Sequence, residues 1–322
     1  MNVKPVIYVT RKIPDHVLKP YEDSFDVRMW DQEEEPVPRD VLLREVKSAD
    51  GILCLLTEKV DKELLDAAKH LKVVANMAVG YDNIDVEAAR EHGVVVTNTP
   101  DVLTETTADL AFALLVAAAR RIVEATDYIR KGKWEHWSPY LLAGSDIYGK
   151  KIGIVGMGRI GEAVARRAKG FGMSILYHNR SRKESAEREL GAAYRGFTGL
   201  LQEADFVVSL VPLTDETKKM FDQDAFRNMK PSAVFVNVSR GGAVDEQALY
   251  DALVNEEIRT AGLDVFDQEP IAPDHPLMKL DSVICLPHIG SASVDTRTRM
   301  LELCLDNLKA VLHGEQPITP VR

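Results

Sequence analysis

The feature that most constrains this chain is a steady alternation of short aliphatic runs with longer amphipathic segments along the whole sequence. Such alternation predicts parallel β-strands connected by covering helices. The runs carry few polar residues on either face, as strands buried on both sides of a sheet do. The sequence therefore predicts an α/β protein, and its 322 residues exceed what one hydrophobic core usually organises.

The predicted strands form two series. The first consists of Val6–Val9, Ile52–Leu56, Val73–Ala75 and Val94–Thr97, with a helix over Asp61–His70. The second consists of Lys151–Val155, Ser174–His178, Phe206–Leu210, Ala233–Val238, Ala261–Val265 and Val283–Leu286. We predict two doubly wound parallel-sheet domains, of the Rossmann or flavodoxin-like type, separated by a cleft.

A break at Thr99-Pro100-Asp101 separates the two series, and Asp101 is predicted to cap a helix that runs from Val102 into Arg121. The final helix, Val294–Leu312, has no place in a completed second sheet, so we expect it to pack on the first domain. The predicted organisation is a discontinuous domain of residues 1–100 and 291–322 around an inserted domain of residues 101–290.

The composition narrows the classes of partner. Acidic residues outnumber basic ones, 50 against 40, and a net charge of −10 argues against nucleic acid or an anionic membrane surface. The longest apolar run, Leu110–Ala119, is too short to cross a bilayer, and the N-terminal charge order is not that of a secretory signal. The 3 cysteines and 8 histidines lack metal-ligand spacing, which predicts no metal site and a cytoplasmic protein with reduced thiols.

A glycine motif follows the strand that ends at Val155 and opens a predicted helix over Glu162–Lys169. It reads Gly156-Met157-Gly158-Arg159-Ile160-Gly161. The first glycine permits a tight turn, the second lets a pyrophosphate approach the backbone, and the third allows close helix–strand packing. Free N–H groups at the start of the helix favour the phosphate charge. Placed between a strand and a helix, the motif predicts a dinucleotide site.

The next strand leads into Asn179-Arg180-Ser181-Arg182, where NAD enzymes usually carry an acidic residue that binds the ribose hydroxyls. The two arginines are suited to a 2′-phosphate, and Ser181 adds a hydroxyl donor. The alternative is a solvated basic loop. The segment predicts NADP as the preferred cofactor and NAD as the second one.

Three strands near the C-terminus are followed by polar residues, namely Arg240, Glu269 and His288. Because the carboxyl ends of parallel strands line the ligand crevice of an open sheet, we predict that these side chains converge. Each also has a structural alternative. Arg240 would be a surface charge, Glu269 a turn residue before Pro270, and His288 a satisfied structural histidine.

Four sequence blocks resemble, in order and spacing, the signature series of the D-isomer-specific 2-hydroxyacid dehydrogenases. They are Val155–Gly161, Asn237–Gly242, Gly262–Pro270 and Pro287–Gly290. The likeness extends over essentially the whole chain and is greatest to the glyoxylate/hydroxypyruvate reductases, through the basic loop and the Trp134–Trp137 segment. The resemblance implies NADPH-preferring reduction of small 2-oxoacids, glyoxylate to glycolate and hydroxypyruvate to D-glycerate.

The resemblance also implies residue roles. His288 becomes the proton donor, Glu269 its partner, and Arg240 the anchor of the substrate carboxylate and carbonyl. An imidazolium suits protonation of a forming alkoxide near neutral pH, and an anionic partner favours that charged form. The N–H groups of Val79 and Gly80 are implied to hold the substrate carboxylate, with a simple glycine turn as the alternative. Further cofactor contacts are implied at Met157, Arg159, Ile160, Val238, Ser239, Asp264, Gly290, Thr107 and Pro212.

Similar reductases form homodimers through the long helix and the loop after it, here within residues 101–150. In them a tryptophan of this loop narrows the neighbour's active site, and Trp137 is the candidate in this chain. The alternative is that Trp137 only anchors an interface.

Other functions stay open at this point. A phosphoglycerate dehydrogenase is disfavoured because the chain stops after the returning helix, without room for a regulatory domain. A formate dehydrogenase is disfavoured because that branch pairs its histidine with glutamine, where this chain has Glu269. Corepressors of the same fold sense dinucleotides, so the three residues alone do not prove metabolic turnover.

Overall fold

A computed structural model describes residues 4–321 of the chain. The chain divides into two compact units, Met1–Leu103 with Ala292–Arg322, and Thr104–Ser291. Each unit is built on a parallel β-sheet with helices on its faces, which confirms the predicted α/β fold class.

The strands are β1 (Val6–Val9), β2 (Asp26–Met29), β3 (Gly51–Cys54), β4 (Val73–Asn76), β5 (Val95–Thr97), β6 (Lys151–Val155), β7 (Ser174–His178), β8 (Ala193–Tyr194), β9 (Phe206–Ser209), β10 (Val234–Asn237), β11 (Thr260–Leu263) and β12 (Val283–Cys285). The α-helices are α1 (Asp15–Leu18), α2 (Arg39–Glu45), α3 (Lys62–Ala67), α4 (Val86–Glu91), α5 (Thr104–Ala119), α6 (Ile122–Arg130), α7 (Arg159–Gly170), α8 (Glu184–Leu190), α9 (Phe197–Glu203), α10 (Gln223–Arg227), α11 (Glu246–Val254) and α12 (Val294–Leu312).

The sheet of the first unit has the strand order β2-β1-β3-β4-β5, which is the flavodoxin-like order. Alternate residues of each strand point to opposite faces of the sheet. Both faces are covered by other parts of the unit. On one face Ile7, Leu53 and Val73 pack against α12, through residues such as Leu305 and Leu308. On the other face the core consists mainly of aliphatic residues, including Ile52, Val74, Leu64 and Leu65.

The second unit has the strand order β12-β11-β10-β9-β6-β7-β8, and all neighbours are parallel. Strands β8, β7, β6, β9, β10 and β11 follow the order of dinucleotide-binding sheets, and β12 extends it. The direction of strand succession reverses between β6 and β9. The carboxyl ends of these two strands therefore form the position where such sheets bind ligands.

The predicted cap at Asp101 is wrong. Helix α5 begins at Thr104, three residues later, and Asp101 has a φ of 69°, whereas a capping residue has extended backbone. The helix also ends before Arg121, which has a φ of 54° and directly precedes the first residue of α6. The left-handed conformation at both positions interrupts helical hydrogen bonding, which an apolar pattern does not reveal.

No helix within residues 4–321 has both the length and the hydropathy that a membrane crossing requires. The cysteines are free thiols, with Cys54 and Cys304 buried and Cys285 half-buried. Burial raises the pKa of Cys285 to about 11. Within the same residues no group of three or more His, Cys, Asp or Glu side chains is arranged to hold a metal ion.

Candidate active site

The glycine turn after β6 has the geometry that a pyrophosphate needs. Gly156 has a φ of 103°, and a Cβ there would lie 2.6 Å from the Leu210 carbonyl oxygen. A Cβ at Gly161 would lie 2.4 Å from the Gly156 carbonyl oxygen, so only glycine lets α7 pack this closely. At Gly158 no heavy atom lies within 4 Å of the Cβ position. Gly158 is the glycine of the motif at which the backbone approaches a pyrophosphate, and it is the one with open space beside it. The residues of the turn therefore fit a dinucleotide.

The other predicted cofactor residues of the second unit lie on several elements. Met157 is buried, while Arg159 and Ile160 form the first turn of α7. Val238 is buried after β10, and Ser239 Oγ lies 3.1 Å from Ser209 Oγ at the end of β9. Pro212 is exposed in the loop after β9.

The two arginines of the basic loop after β7 differ in their contacts. Arg182 is bound by Glu187 of α8, with Nε 3.0 Å from Oε1 and Nη2 2.6 Å from Oε2. This pair lowers the pKa of Glu187, as does the hydrogen bond that Tyr177 donates to it. Arg180 and Ser181 are exposed, and Asn179 Nδ2 donates to the Ser181 carbonyl oxygen. Among residues 4–321, a carboxylate within salt-bridge distance is present for the guanidinium of Arg182 and not for that of Arg180.

Arg240 follows β10 and is supported by the buried side chain of Asn237. Asn237 Nδ2 donates to the Arg240 carbonyl oxygen at 2.9 Å, and its Oδ1 accepts from the N–H and hydroxyl of Ser239. Arg240 Nη1 donates to the Ser239 carbonyl oxygen. A Cβ at the next residue, Gly241, would overlap the backbone of Phe266 after β11. The glycine thus lets the loops that carry Arg240 and Glu269 come together.

His288 and Glu269 form a hydrogen bond, with Nδ1 2.7 Å from Oε2. Burial alone would raise the pKa of Glu269, but the bond to His288, the Phe266 N–H and the Arg240 charge together lower it. The other carboxylate oxygen accepts from that Phe266 N–H at 3.0 Å. Because Nδ1 is bound to Glu269, Nε2 is the imidazole nitrogen available for proton exchange with another group.

Asp264, at the end of β11, holds the backbone around His288. Its carbonyl oxygen accepts from the His288 N–H at 2.9 Å, and its Oδ1 accepts from the Ile289 N–H at 2.7 Å. His288 has a φ of 52°, a conformation that non-glycine residues keep only where the surroundings fix it. Burial raises the pKa of Asp264, against the opposing effect of the Ile289 N–H. Gly290 lies next to Asp264 and Thr107, where a Cβ would be 3.2 Å from Asp264 Oδ2.

The remaining predicted site residues lie elsewhere. Val79 and Gly80 are in the turn after β4, in the first unit, and the Val79 side chain is exposed. Trp137 is in the irregular segment after α6 and is 78% exposed. Arg240, Glu269, His288 and Asp264 thus all lie in the second unit.

Three supporting residues were not predicted. Asn237 was visible as a polar residue at the end of an apolar strand, and Gly241 as part of a glycine pair, but neither pattern states what it contacts. Glu187 has no sequence signal, because its bond to Arg182 depends on where α8 begins.

Comparisons with known proteins bear on the family of the chain. Residues 112–290 match the family model described as D-isomer specific 2-hydroxyacid dehydrogenase, NAD binding domain. The chain is 53% identical to a glyoxylate reductase of Korarchaeum cryptofilum, over 98% of this chain and 95% of that protein. It is 50% identical to a glyoxylate reductase of Pyrococcus horikoshii, over 99% and 96%.

A solved structure extends the comparison. The NADPH-dependent glyoxylate/hydroxypyruvate reductase of Sinorhizobium meliloti, in complex with NADP and malonate, superposes with a TM-score of 0.86 and 39% identity. The match covers 99% of this chain and 97% of that one.

Proposed function

Because the chain belongs to the D-isomer-specific 2-hydroxyacid dehydrogenases, and so is an NAD(P)-dependent oxidoreductase, we propose that it reduces glyoxylate to glycolate and hydroxypyruvate to D-glycerate, with NADPH preferred. The observation that carries the proposal is the hydrogen bond between His288 and Glu269, in the unit that contains the dinucleotide turn. Relatives named glyoxylate reductase support the choice of substrate class.

The second unit is the dinucleotide-binding domain in this proposal, and its residues carry the chemistry. A bound reduced nicotinamide supplies a hydride to the carbonyl carbon of the substrate. Arg240 binds the substrate carboxylate and carbonyl, since a planar guanidinium offers paired donors. His288 donates the Nε2 proton to the carbonyl oxygen as that oxygen gains charge. Glu269 keeps the imidazole oriented and favours its charged form.

The first unit supplies substrate binding through the turn after β4. The N–H groups of Val79 and Gly80 bind the substrate carboxylate, as backbone donors in a turn bind anions elsewhere. Binding of a carboxylate by these backbone donors would select 2-oxoacids over simple aldehydes or ketones.

The preference for NADPH depends on the loop after β7. It carries Arg180 and Ser181 and lacks a carboxylate at Asn179, where a ribose-binding acid would stand. The relative from Sinorhizobium meliloti, described as NADPH-dependent, supports this reading. Arg180 is the principal 2′-phosphate ligand in this proposal, because Arg182 is already bound to Glu187.

We propose a cytoplasmic homodimer. Several large apolar side chains on α6 and the segment after it are exposed in a single chain, namely Ile122, Val123, Ile129, Trp134, Trp137 and Tyr140. Contiguous exposed apolar surface indicates a protein interface. Most soluble oligomers are symmetric pairs, and free thiols suit the cytosol.

The function is tested by following the absorbance of reduced nicotinamide with glyoxylate, hydroxypyruvate, pyruvate and phosphohydroxypyruvate, each with NADPH and with NADH. We expect the highest kcat/KM with glyoxylate or hydroxypyruvate and NADPH. A preference for phosphohydroxypyruvate would indicate a different dehydrogenase of the family. Negligible turnover of all four, with tight dinucleotide binding, would indicate a sensor and contradict the proposal.

A further inference from the structure

The turn after β4 presents three consecutive backbone donors. Within residues 4–321, the N–H groups of Val79, Gly80 and Tyr81 donate no hydrogen bond to another group of the chain. The side chains of Val79 and Tyr81 are exposed, so the crest of the turn is open. Successive free N–H groups of this kind form a concave site for an anion.

The carbonyl groups of the same turn are all bound. The Ala78 carbonyl oxygen accepts from the Thr99 N–H at 2.8 Å, and that of Val79 from Asn98 Nδ2 at 2.8 Å. The Gly80 carbonyl oxygen accepts from Asn76 Nδ2 at 2.9 Å.

These carbonyl contacts fix the directions of the donors. In a planar trans peptide the C=O of one residue and the N–H of the next point in opposite directions. The bond from Asn98 to the Val79 carbonyl therefore sets the direction of the Gly80 N–H. The bond from Asn76 to the Gly80 carbonyl sets that of the Tyr81 N–H in the same way.

The two asparagines differ in their surroundings. Asn76 is fully buried, and its amide pairs with that of Asn83, which also donates to the Leu55 and Glu58 carbonyl oxygens. Replacing Asn76 would disturb this buried network. The side chain of Asn98 is half-buried, and its Nδ2 donates to the Val79 carbonyl oxygen of the turn. Its backbone is held separately by Thr319, whose hydroxyl donates to the Asn98 carbonyl oxygen at 2.6 Å.

We propose that Asn98 is a positioning residue for carboxylate binding. Its amide holds the Val79–Gly80 peptide so that the Gly80 N–H faces the substrate carboxylate, and the Tyr81 N–H, oriented through Asn76, is a third donor. This inference rests on the proposed function, which supplies the carboxylate. Donors fixed before binding bind an anion more strongly, because no ordering cost is incurred at that moment.

The test compares Asn98→Ala with the wild type. We expect the KM for glyoxylate and the dissociation constant of oxalate from the enzyme–NADPH complex to rise by up to about tenfold, since a misdirected Gly80 N–H loses at most one hydrogen bond to a charged group. We expect kcat and the NADPH dissociation constant to change less than about threefold, because Asn98 contacts neither reacting atoms nor cofactor in this proposal. Oxalate binding, measured by calorimetry, needs no turnover.

The control is Asn228→Ala, which removes an amide that donates to the Asp224 carbonyl oxygen at 2.8 Å outside the turn. It should leave both carboxylate constants unchanged. If Asn98→Ala leaves them unchanged as well, or lowers kcat and NADPH affinity to the same extent, the inference is wrong. A wild type that binds oxalate in an Asn98-dependent way but reduces no 2-oxoacid overturns the proposed function and keeps the inference. A wild type that neither binds oxalate nor reduces a 2-oxoacid overturns both.

Discussion

Glu269 Oε2 lies 2.7 Å from His288 Nδ1, and the two residues come from loops after different strands, β11 and β12. The pKa of Glu269 is lowered, since the bond to His288 outweighs the effect of burial. Glu269 is therefore an anion throughout the neutral range. Glu269 can therefore act as a fixed negative charge beside the imidazole of His288 at neutral pH.

From this relationship we expect Glu269→Gln to move the alkaline limit of the reduction to lower pH. Without the negative charge of Glu269 the imidazolium of His288 is less stable, so His288 gives up its proton at a lower pH. We also expect kcat/KM at neutral pH to fall by less than the roughly 10²- to 10⁴-fold that a positioned acid contributes, because His288 itself is retained. The measurement is kcat/KM for glyoxylate as a function of pH. An alkaline limit that stays where it is in the wild type would remove Glu269 from this role.

The basic loop gives a prediction that separates two neighbouring arginines. We expect Arg180→Ala to raise the KM for NADPH about tenfold and to leave that for NADH nearly unchanged, because one charge-assisted contact to phosphate is lost. Arg182→Ala should do less, because Glu187 already holds that guanidinium. The double variant Arg180→Glu with Arg182→Glu should weaken NADPH far more than NADH.

The control is Arg188→Ala, which removes an exposed arginine from α8 close to the same loop. It should change neither cofactor constant. Equal losses for NADPH and NADH in the double variant would refute 2′-phosphate recognition by this loop. A larger effect from Arg182 than from Arg180 would show that the bond to Glu187 opens when the cofactor binds.

The glycine turn gives a prediction that separates folding from binding. A methyl at Gly161 would meet the Gly156 carbonyl, so we expect Gly161→Ala to lower the free energy of unfolding by about 1–3 kcal/mol. Gly158→Ala meets no heavy atom within 4 Å and has ordinary backbone angles, so the melting temperature should stay unchanged. The same methyl would obstruct the approach of a dinucleotide, so its affinity for NADPH and NADH should fall.

Gly170→Ala is the matched control, since it lies at the other end of α7 with open space around it. It should leave the dinucleotide affinity unchanged and raise the free energy of unfolding by at most about 1 kcal/mol. Wild-type dinucleotide affinity in Gly158→Ala would be evidence against this turn as the pyrophosphate site.

The sequence predicted strands best where they are buried on both faces. The ranges of β1, β6 and β7 coincide with the predicted runs, because uninterrupted aliphatic residues are diagnostic of a central parallel strand. Strand β2 was missed because it lies at the sheet edge and carries Asp26 and Arg28 among its residues. Strand β8 has only two residues and gives no pattern.

Within the candidate site, the sequence indicated which residues follow strand ends but not how they are held. The carboxyl ends of parallel strands lie at the same edge of a sheet, so the proximity of residues after β11 and β12 could be expected. Two contacts depend on loop conformations. One is the pair of hydrogen bonds that Asp264 accepts from the backbone at His288 and Ile289, and the other is the bond between Glu187 and Arg182. Such conformations result from the packing of the whole unit, which no local pattern encodes.

The exposed Trp137 gives a prediction about the proposed dimer. If this tryptophan completes the active site of the partner subunit, Trp137→Ala should raise the KM for glyoxylate and keep the affinity for NADPH. His288→Asn should be inactive, and asparagine tolerates the φ of 52° at that position.

We expect mixed dimers of the two variants, formed by co-expression, to be more active than either variant alone. Each mixed dimer contains one site with its own His288 and with the partner's Trp137. Light scattering establishes that both variants are dimers, and activity no greater than that of the Trp137→Ala fraction would restrict this residue to a structural contact.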